Sequence, residues 1–276
     1  MSEAGHFGDR LAAAVERKGA PLCVGLDPDP ALMPEGLGVV EFCHGIVHAV
    51  EPFAVAVKPQ AAFFEAQGAD GWSAFVEVCG HAREAGLLVI ADAKRGDVPS
   101  TARAYAAAFA PLADAVTVNP YLGHDSLEPF FACDGLGVFV LVKTSNPSSV
   151  DLQDLPLADG RRVWQHVAGL VDRWGADHVG ESGLSSVGAV VGATFPHEVA
   201  EARRLLPRSV LLLPGVGAQG ARAEDLAEAF SVGPAGAIVS ASRSVLYADR
   251  GERWQEAAGA EAERLAGELR ALTAVG

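Results

Sequence analysis

The chain has 276 residues, a formal net charge of −14 and 50% hydrophobic residues. This hydrophobic content excludes disorder as the main state, and the length can bury a large core without disulfides. The negative charge disfavours binding to nucleic acid or to an anionic membrane surface. No apolar run approaches the length of a membrane span, and Met1–His6 lacks the features of a signal peptide, so a cytoplasmic protein is expected. The cysteines form no C-x-x-C pair and are predicted to be buried free thiols: Cys23, Cys43, Cys79 and Cys133.

Short β-rich runs alternate with helical stretches along the chain. Most runs are continuously apolar, such as Leu-Leu-Val-Ile-Ala at 87–91, which is typical of parallel strands buried on both faces. About eight strands, each followed by a helix, predict a (β/α)8 barrel forming a single domain over residues 1–276, with a doubly wound open sheet as the alternative. The predicted strands are Pro21–Gly25, Ala54–Lys58, Leu87–Ala91, Ala115–Val118, Gly137–Val142, Val187–Gly192, Ser209–Leu213 and Ala237–Ser240.

Polar residues follow nearly all of these apolar runs. In a (β/α)8 barrel, the residues at the C-terminal ends of the strands surround the active site. A segment rich in Asn, Pro, Ser and Asp, Asn146–Gly160, is predicted to be a long loop after the fifth strand, and loops of this length are often functional. The candidate site positions are Asp27, Lys58, Asp92, Lys94, Asn119, Thr144, Ser145, Thr194, Gly215–Gln219, Ser242 and Arg243.

The central motif is Asp92-Ala93-Lys94-Arg95-Gly96-Asp97. Because side chains alternate along a strand, Asp92 and Lys94 are predicted to share one face at the barrel mouth. A structural ion pair and a divalent-metal site are the alternatives, and the lysine within the motif disfavours the metal. Asp97 precedes a predicted helix that carries Pro99 in its first turn, so an ordinary N-cap is the alternative for this residue.

The stretch Pro214–Gly220 satisfies G-x-G-x-x-G after a strand. A dinucleotide site would need this motif at the first βα turn, with an acidic residue at the end of the next strand. Here it follows the seventh strand, and the next strand ends in Ser240–Arg243 without an acidic partner. A phosphate site built from glycine backbone N–H groups and the Arg243 guanidinium is favoured, and a tight turn with a surface arginine is the alternative.

Lysine is scarce in this chain, which has 17 Arg and only four Lys. Lys carries a compact charge and can release a proton, whereas Arg stays protonated in proteins. Three of the four end apolar runs, namely Lys58, Lys94 and Lys143. We therefore expect their placement to be functional.

Together these motifs resemble the orotidine 5′-phosphate decarboxylases. The resemblance extends from Leu22 to Arg243, with the motifs in the family's order, and the stretches 93–97 and 143–147 are similar to its longer bacterial subfamily. Asn119 stands where many members carry His, and the loop after the fifth strand does not align closely with shorter members. The motifs are Leu22–Asp27, Val57-Lys58, Asp92-x-Lys94-x-x-Asp97, Pro214–Gly220 and Ser242-Arg243-Ser244.

The resemblance implies a homodimer that binds a pyrimidine nucleotide and uses neither metal nor cofactor. It would convert orotidine 5′-phosphate to UMP and CO2, the last step of de novo pyrimidine synthesis. Lys58, Asp92, Lys94 and the other subunit's copy of Asp97 would form a charged tetrad. Lys94 would stabilise the carbanion at C6 and then protonate it.

The same resemblance implies a set of substrate contacts. Thr101 would accompany Asp97 at the neighbouring subunit's ribose, and Asp27 would bind a ribose hydroxyl. Ser145 would read the pyrimidine edge. The remaining contacts would be made by Gly217, Gln219, Ser242 and Arg243, with Gln219 and Arg243 on the phosphate.

Two other functions remain open at this point. One is a Mg²⁺-dependent sugar-phosphate decarboxylase or aldolase on the same barrel, although the first two strand ends offer only Asp27 and Lys58 and no further carboxylates. The other is a nucleotide-binding protein without catalysis, which would have no use for two lysines beside two carboxylates.

Overall fold

Eight parallel strands close into a barrel in chain order, β1 to β8, with β8 paired to β1. The computed structural model describes residues 5–215 and 223–274 of the chain. The closed barrel confirms the predicted fold, and the open sheet is wrong. The strands are β1 Leu22–Leu26, β2 Ala56–Pro59, β3 Leu88–Arg95, β4 Ala115–Val118, β5 Gly137–Lys143, β6 Ser185–Val191, β7 Ser209–Pro214 and β8 Ala237–Ala241.

Helices follow or connect these strands on the outside. Among the described residues, no helix is both long enough and apolar enough to cross a membrane. Short 3₁₀ segments lie between several of them, including Pro147–Asp151 within the predicted long loop after β5. The helices are α1 Phe7–Lys18, α2 Val39–Val50, α3 Ala61–Glu65, α4 Gly68–Glu84, α5 Pro99–Phe109, α6 Glu128–Phe131, α7 Val163–Trp174, α8 Pro196–Leu205, α9 Arg243–Leu246 and α10 Trp254–Thr273.

The apolar runs form strands because both of their faces are buried. Residues pointing outward pack under the helices, and those pointing inward fill the barrel. Helix α1 closes the N-terminal end of the barrel, where Phe7 meets Phe139 edge-on with ring centroids 5.8 Å apart. Gly137 makes this approach possible, because a Cβ there would lie 2.5 Å from the Phe7 ring. With that end closed, the open end of the barrel is the one formed by the strands' C-termini.

The structure corrects two details of the sequence prediction. Strand β3 continues to Arg95 rather than ending at Ala91, because its pairing with β4 shifts register between these two residues. The free thiols of Cys23, Cys43 and Cys79 are buried as predicted, but Cys133 is half-exposed. Its position directly after α6 leaves one side of the thiol uncovered.

Candidate active site

A cavity of about 820 Å³ opens at the C-terminal ends of the strands. Every strand or the loop after it contributes to its wall, as the barrel geometry requires. Nine of the positions selected from the sequence line it: Asp27, Lys58, Asp92, Lys94, Thr144, Ser145, Gly215, Ser242 and Arg243.

Asp92 is the centre of a charged cluster on one side of this cavity. Its Oδ2 accepts from Lys58 Nζ at 2.7 Å and from Gln60 Nε2 at 3.1 Å. Its Oδ1 accepts from Lys94 Nζ at 2.5 Å and from Thr117 Oγ1 at 2.9 Å. Four donors therefore occupy both oxygens of this carboxylate. A cation could bind Asp92 only by displacing them, which disfavours the alternative of a metal at this position.

The two buried charges of the cluster stabilise each other. Burial alone would raise the pKa of Asp92, but Lys58 and Lys94 outweigh burial and hold the pKa well below its usual range. Burial alone would lower the pKa of Lys58, but the Asp92 charge and then that of Asp27 raise it above its usual value. Asp92 is therefore a carboxylate and Lys58 an ammonium across the whole physiological pH range.

Lys94 reaches the cavity through an unusual backbone conformation. It has φ of +48°, and no other non-glycine residue in the described part of the chain has a positive φ. Its N–H donates to Thr117 Oγ1 at 2.9 Å, and Thr117 donates onward to Asp92. The prediction that Asp92 and Lys94 face one cavity is thus confirmed, but regular strand alternation is the wrong reason. The irregularity in β3 and the Thr117 hydroxyl bring them together.

Asp27, at the end of β1, forms a second polar centre in the cavity. Its Oδ2 accepts from Ser242 Oγ, and its backbone carbonyl accepts from the Tyr247 hydroxyl at 2.7 Å. Its Oδ1 is buried and has no hydrogen-bond partner among the described residues. Gly25 permits this approach of β8 to β1, because a Cβ there would collide with Ser242 Oγ. A held carboxylate with one vacant oxygen is suited to accept from a ligand hydroxyl.

The residues after β5 form the third part of the cavity wall. Ser145 packs on the backbone of Gly192, where an added Cβ would lie 3.0 Å from the serine Cβ. Behind it, Lys143 is 1% exposed and binds Asp154 of the long loop at 2.8 Å. Lys143 does not line the cavity. Its ammonium instead lies beneath the loop, between Asp154 and Glu198, so its placement after an apolar run serves the loop rather than the cavity wall.

Asp97 and Thr101 lie outside the cavity of the single chain. The Asp97 side chain accepts from the N–H of Val98 at 2.7 Å, and the N-cap of α5 is Val98, so the N-cap alternative for Asp97 is wrong. Val98 is 51% exposed. Gly217 and Gln219 lie outside the described residues.

Four further cavity residues escaped the sequence analysis. Gln60 and Thr117 complete the shell around Asp92, while Tyr247 supports Asp27. Gln153 contacts the cavity from the long loop. Gln60 follows Lys58 by two positions, so strand alternation could have indicated it. Gln153 lies in the predicted long loop, but nothing local distinguishes it from its neighbours there. Thr117 and Tyr247 carry no local signal, because they reach the site only through the fold.

The cavity offers a row of cations and hydrogen-bond donors rather than a set of metal ligands. Within residues 5–215 and 223–274, no group of three or more His, Cys, Asp or Glu side chains is placed to hold a metal ion. The Lys94 side chain is 41% exposed, and its ammonium lies beside a carboxylate that three other donors also bind. Such a group can stabilise a negative charge that forms next to it and can transfer a proton to that charge.

Known proteins are similar to this chain in both sequence and fold. The profile of the orotidine 5′-phosphate decarboxylase / HUMPS family matches residues 20–257. The chain is 44% identical to an orotidine 5′-phosphate decarboxylase of Rhodopirellula baltica, over 91% of this chain and 92% of that protein. It is 47% identical to one from Roseiflexus castenholzii, over 94% and 96% respectively.

A solved structure extends the likeness to three dimensions. The Leishmania donovani OMP decarboxylase has 36% identity and a TM-score of 0.79, covering 96% of this chain and 98% of that one. The chain therefore belongs to the orotidine 5′-phosphate decarboxylase / HUMPS family.

Proposed function

We propose that this chain is the carboxy-lyase that converts orotidine 5′-phosphate to UMP and CO2, with Lys94 as its proton donor. The observation that carries the proposal is the Lys94 ammonium, which stands in the cavity 2.5 Å from a carboxylate already bound by three other donors. The curated relatives at 44% and 47% identity are named for the same reaction.

The chemistry requires such an ammonium. Loss of CO2 from C6 leaves an electron pair in the plane of the pyrimidine ring, where the ring delocalises it poorly. The barrier to be removed is large, on the order of 20 kcal/mol. A fixed positive charge at C6 stabilises this pair as it develops, and the same amine then supplies the proton. Arg at this position would keep the charge but would not release a proton readily.

Asp92 plays a supporting part in this scheme. It holds Lys94 and Lys58 at fixed distances, so the charges need not rearrange during the reaction. The carboxylate of the substrate, bound near Asp92, experiences like-charge repulsion that its loss as CO2 relieves. Because two ammonium groups hold its pKa low, Asp92 does not take up the proton itself.

Other residues of the cavity would bind the ribose, the pyrimidine edge and the phosphate of the substrate. The vacant Oδ1 of Asp27 is suited to a ribose hydroxyl, and Ser145, which lines the cavity, would read the pyrimidine edge. Arg243 lines the cavity at the start of α9 and would bind the phosphate together with Gln219 and the Gly217 backbone. Ser242 keeps Asp27 in place.

The second subunit is part of the proposal. Asp97 and Thr101 lie outside the cavity of their own chain, next to the exposed apolar side chain of Val98. These features are those expected of residues that complete a neighbour's site in a homodimer. Each site would then contain Lys94 of one chain and Asp97 of the other.

Coexpression of two inactive variants tests this shared site. A dimer of one Lys94→Ala chain and one Asp97→Ala chain contains one intact site, so random pairing should restore about a quarter of wild-type turnover. Pairing Lys94→Ala with Lys58→Ala leaves every site damaged and should restore none. Equal turnover in the two mixtures would contradict a shared site.

The reaction itself is tested by following orotidine 5′-phosphate spectrophotometrically in excess chelator. Full turnover in chelator is expected, because in this proposal the Lys94 ammonium, and not a metal ion, stabilises the developing negative charge. A loss of turnover that added Mg²⁺ restores would favour the aldolase-like alternative. Tight UMP binding without CO2 release would favour a binding protein.

A further inference from the structure

Hydrogen bonds after β5 define the orientation of one cavity amide. The backbone N–H of Thr144 donates to Gln153 Oε1 at 2.9 Å. A backbone N–H can only donate, so this end of the Gln153 amide must be its oxygen. The other end, Nε2, then donates to Thr144 Oγ1 at 2.8 Å.

The Thr144 hydroxyl in turn determines the orientation of the Asn146 amide. A hydroxyl has one hydrogen, and Thr144 places it on Asn146 Oδ1 at 2.7 Å. The amide oxygen of Asn146 is therefore held by Thr144, and the NH2 group is the end left for the cavity that Asn146 lines. No described residue accepts a hydrogen bond from this NH2 group. Asn146 thus presents donors and no acceptor.

Gln153 is itself firmly held. Its N–H donates to the carbonyl of Ser149 at 2.8 Å, and its carbonyl accepts from Trp164, which is 1% exposed. The neighbouring Asp154 binds Lys143 at 2.8 Å. The hydrogen-bond relay from Gln153 through Thr144 to Asn146 therefore starts at a residue that backbone hydrogen bonds and a neighbouring buried ion pair hold in place.

We propose that Asn146 makes the site specific for a pyrimidine nucleotide with a carbonyl at C4 of the ring, with Thr144 and Gln153 as its positioning residues. This inference rests on the proposed function and names the feature of the base that is read. A C4 carbonyl accepts from the NH2 group, whereas the C4 amino group of a cytosine nucleotide meets it donor to donor. Ser145 cannot make this distinction alone, because its hydroxyl rotates to donate or accept.

The test compares affinities for UMP, CMP and ribose 5-phosphate by titration calorimetry. Wild type should bind UMP at least about tenfold more tightly than CMP. Asn146→Asp replaces the NH2 group by an acceptor and should lower the UMP/CMP ratio about tenfold. The added negative charge weakens the binding of all three phosphate-containing ligands by the same factor. The ratio of UMP to CMP affinity cancels this factor and is therefore the quantity to compare. Asn119→Asp makes the same change at the chain's other asparagine, which does not line the cavity, and should leave the ratio unchanged.

Two variants test the relay without altering Asn146. In Gln153→Glu, the Thr144 hydrogen must turn to the introduced carboxylate, which frees Asn146 to rotate its oxygen toward the cavity. Thr144→Val removes the hydroxyl in a side chain of similar shape. Both should lower the UMP/CMP ratio, with thermal unfolding used to confirm that the variants are folded.

Three results would overturn the proposal. The first is an unchanged ratio in Asn146→Asp. The second is an unchanged ratio in folded Gln153→Glu and Thr144→Val, which would remove the relay. The third is a loss of ribose 5-phosphate affinity in Asn146→Asp as large as that for UMP, which would place the contact on the phosphate. Each binding ratio stands apart from turnover, so a failure here is distinguishable from a failure of the decarboxylase proposal.

Discussion

Two lysine–carboxylate clusters lie at strand ends of the same barrel, and only one of them faces the cavity. Around Asp92, two lysines and two neutral donors bind one carboxylate, and Lys94 keeps 41% of its side chain exposed. Around Lys143, one ammonium with 1% exposure lies between Asp154 at 2.8 Å and Glu198 at 3.9 Å. The first cluster has excess positive charge at the opening. The second is neutral beneath a loop, because Arg162 also pairs with Asp154 at 3.3 Å.

This difference separates the lysine that we propose to be catalytic from a structural one. Both clusters place a lysine after an apolar strand, so the local sequence treats them alike. Only Lys94 retains donor capacity toward a ligand, because its carboxylate partner is shared with three other groups. Lys143 is surrounded by carboxylates, a hydroxyl and the Phe195 ring, and it stabilises the loop that carries Gln153.

The largest expected effect distinguishes the clusters directly. Lys94→Ala should lower turnover more than about a hundredfold while UMP binding persists, because both the charge at C6 and the proton are lost. Steady-state kinetics and UMP titration measure the two quantities. Retention of more than about a tenth of turnover would contradict the proton-donor role. Lys143→Met is the matched control and should keep turnover within about tenfold in the folded enzyme.

A second prediction concerns how Lys94 is held. Thr117→Val removes the acceptor for the Lys94 N–H and one donor to Asp92, so kcat should fall roughly tenfold to a hundredfold. Thr117→Ser keeps the hydroxyl and should recover most of this loss. If the valine and serine variants were equally active, Thr117 would have no positioning role.

The third prediction concerns stability, for which the Lys143 cluster is expected to matter. Lys143→Met should lower the free energy of unfolding by roughly 2–4 kcal/mol, since it leaves Glu198 without its cation and Asp154 with Arg162 alone. Urea denaturation measures this change. A variant as stable as wild type would show that the buried ammonium contributes nothing to the fold. Lys18→Met, at a more exposed pair with Glu51, should cost less than about 1 kcal/mol.

The smallest effect is a pair of opposite pH dependences in the Lys143 cluster. Burial would raise the pKa of Asp154, but the Lys143 ammonium and the Arg162 guanidinium together outweigh burial and lower it. This pairing therefore stabilises the fold at neutral pH and is lost on acidification below the ordinary aspartate value of about 4. Burial raises the pKa of Glu198 more than Lys143 lowers it, so the folded state binds its proton more tightly and gains stability as the pH falls.

Two amide variants separate these contributions. Asp154→Asn should destabilise the protein at pH 7 and weaken its dependence on acid. Glu198→Gln should raise the unfolding free energy at pH 7 by less than about 1 kcal/mol, with the gain vanishing near pH 4. Thermal unfolding across this range measures both. Curves of equal slope for the two variants would show that the cluster does not divide its charge in this way.

The sequence predicted the barrel and much of the site because both leave local traces. Continuous apolar runs followed by Asp27, Lys58 or Lys94 indicate parallel strands with polar C-terminal ends. The register shift in β3 leaves no such trace, because it depends on pairing with β4. The role of Thr117 is hidden for the same reason, since its hydroxyl acts across strands.

Lys143 shows the opposite failure. Its position after an apolar run is as suggestive as that of Lys58, yet its side chain turns away from the cavity. The long loop after β5 carries its partner, Asp154, which binds the Lys143 ammonium away from the cavity. No local sequence pattern predicts that the loop folds back to place Asp154 beside Lys143. Sequence reasoning thus locates strand ends well and the direction of long side chains poorly.

The left-handed backbone at Lys94 has a consequence for the evolution and engineering of this protein. Glycine adopts that conformation without strain, so Lys94→Gly would relax the backbone while discarding the amine. The same change would remove one of the two ammonium groups that stabilise the buried Asp92 carboxylate. The left-handed backbone and the charge pair therefore act in opposite directions on stability, and directed evolution at position 94 must score stability and turnover separately.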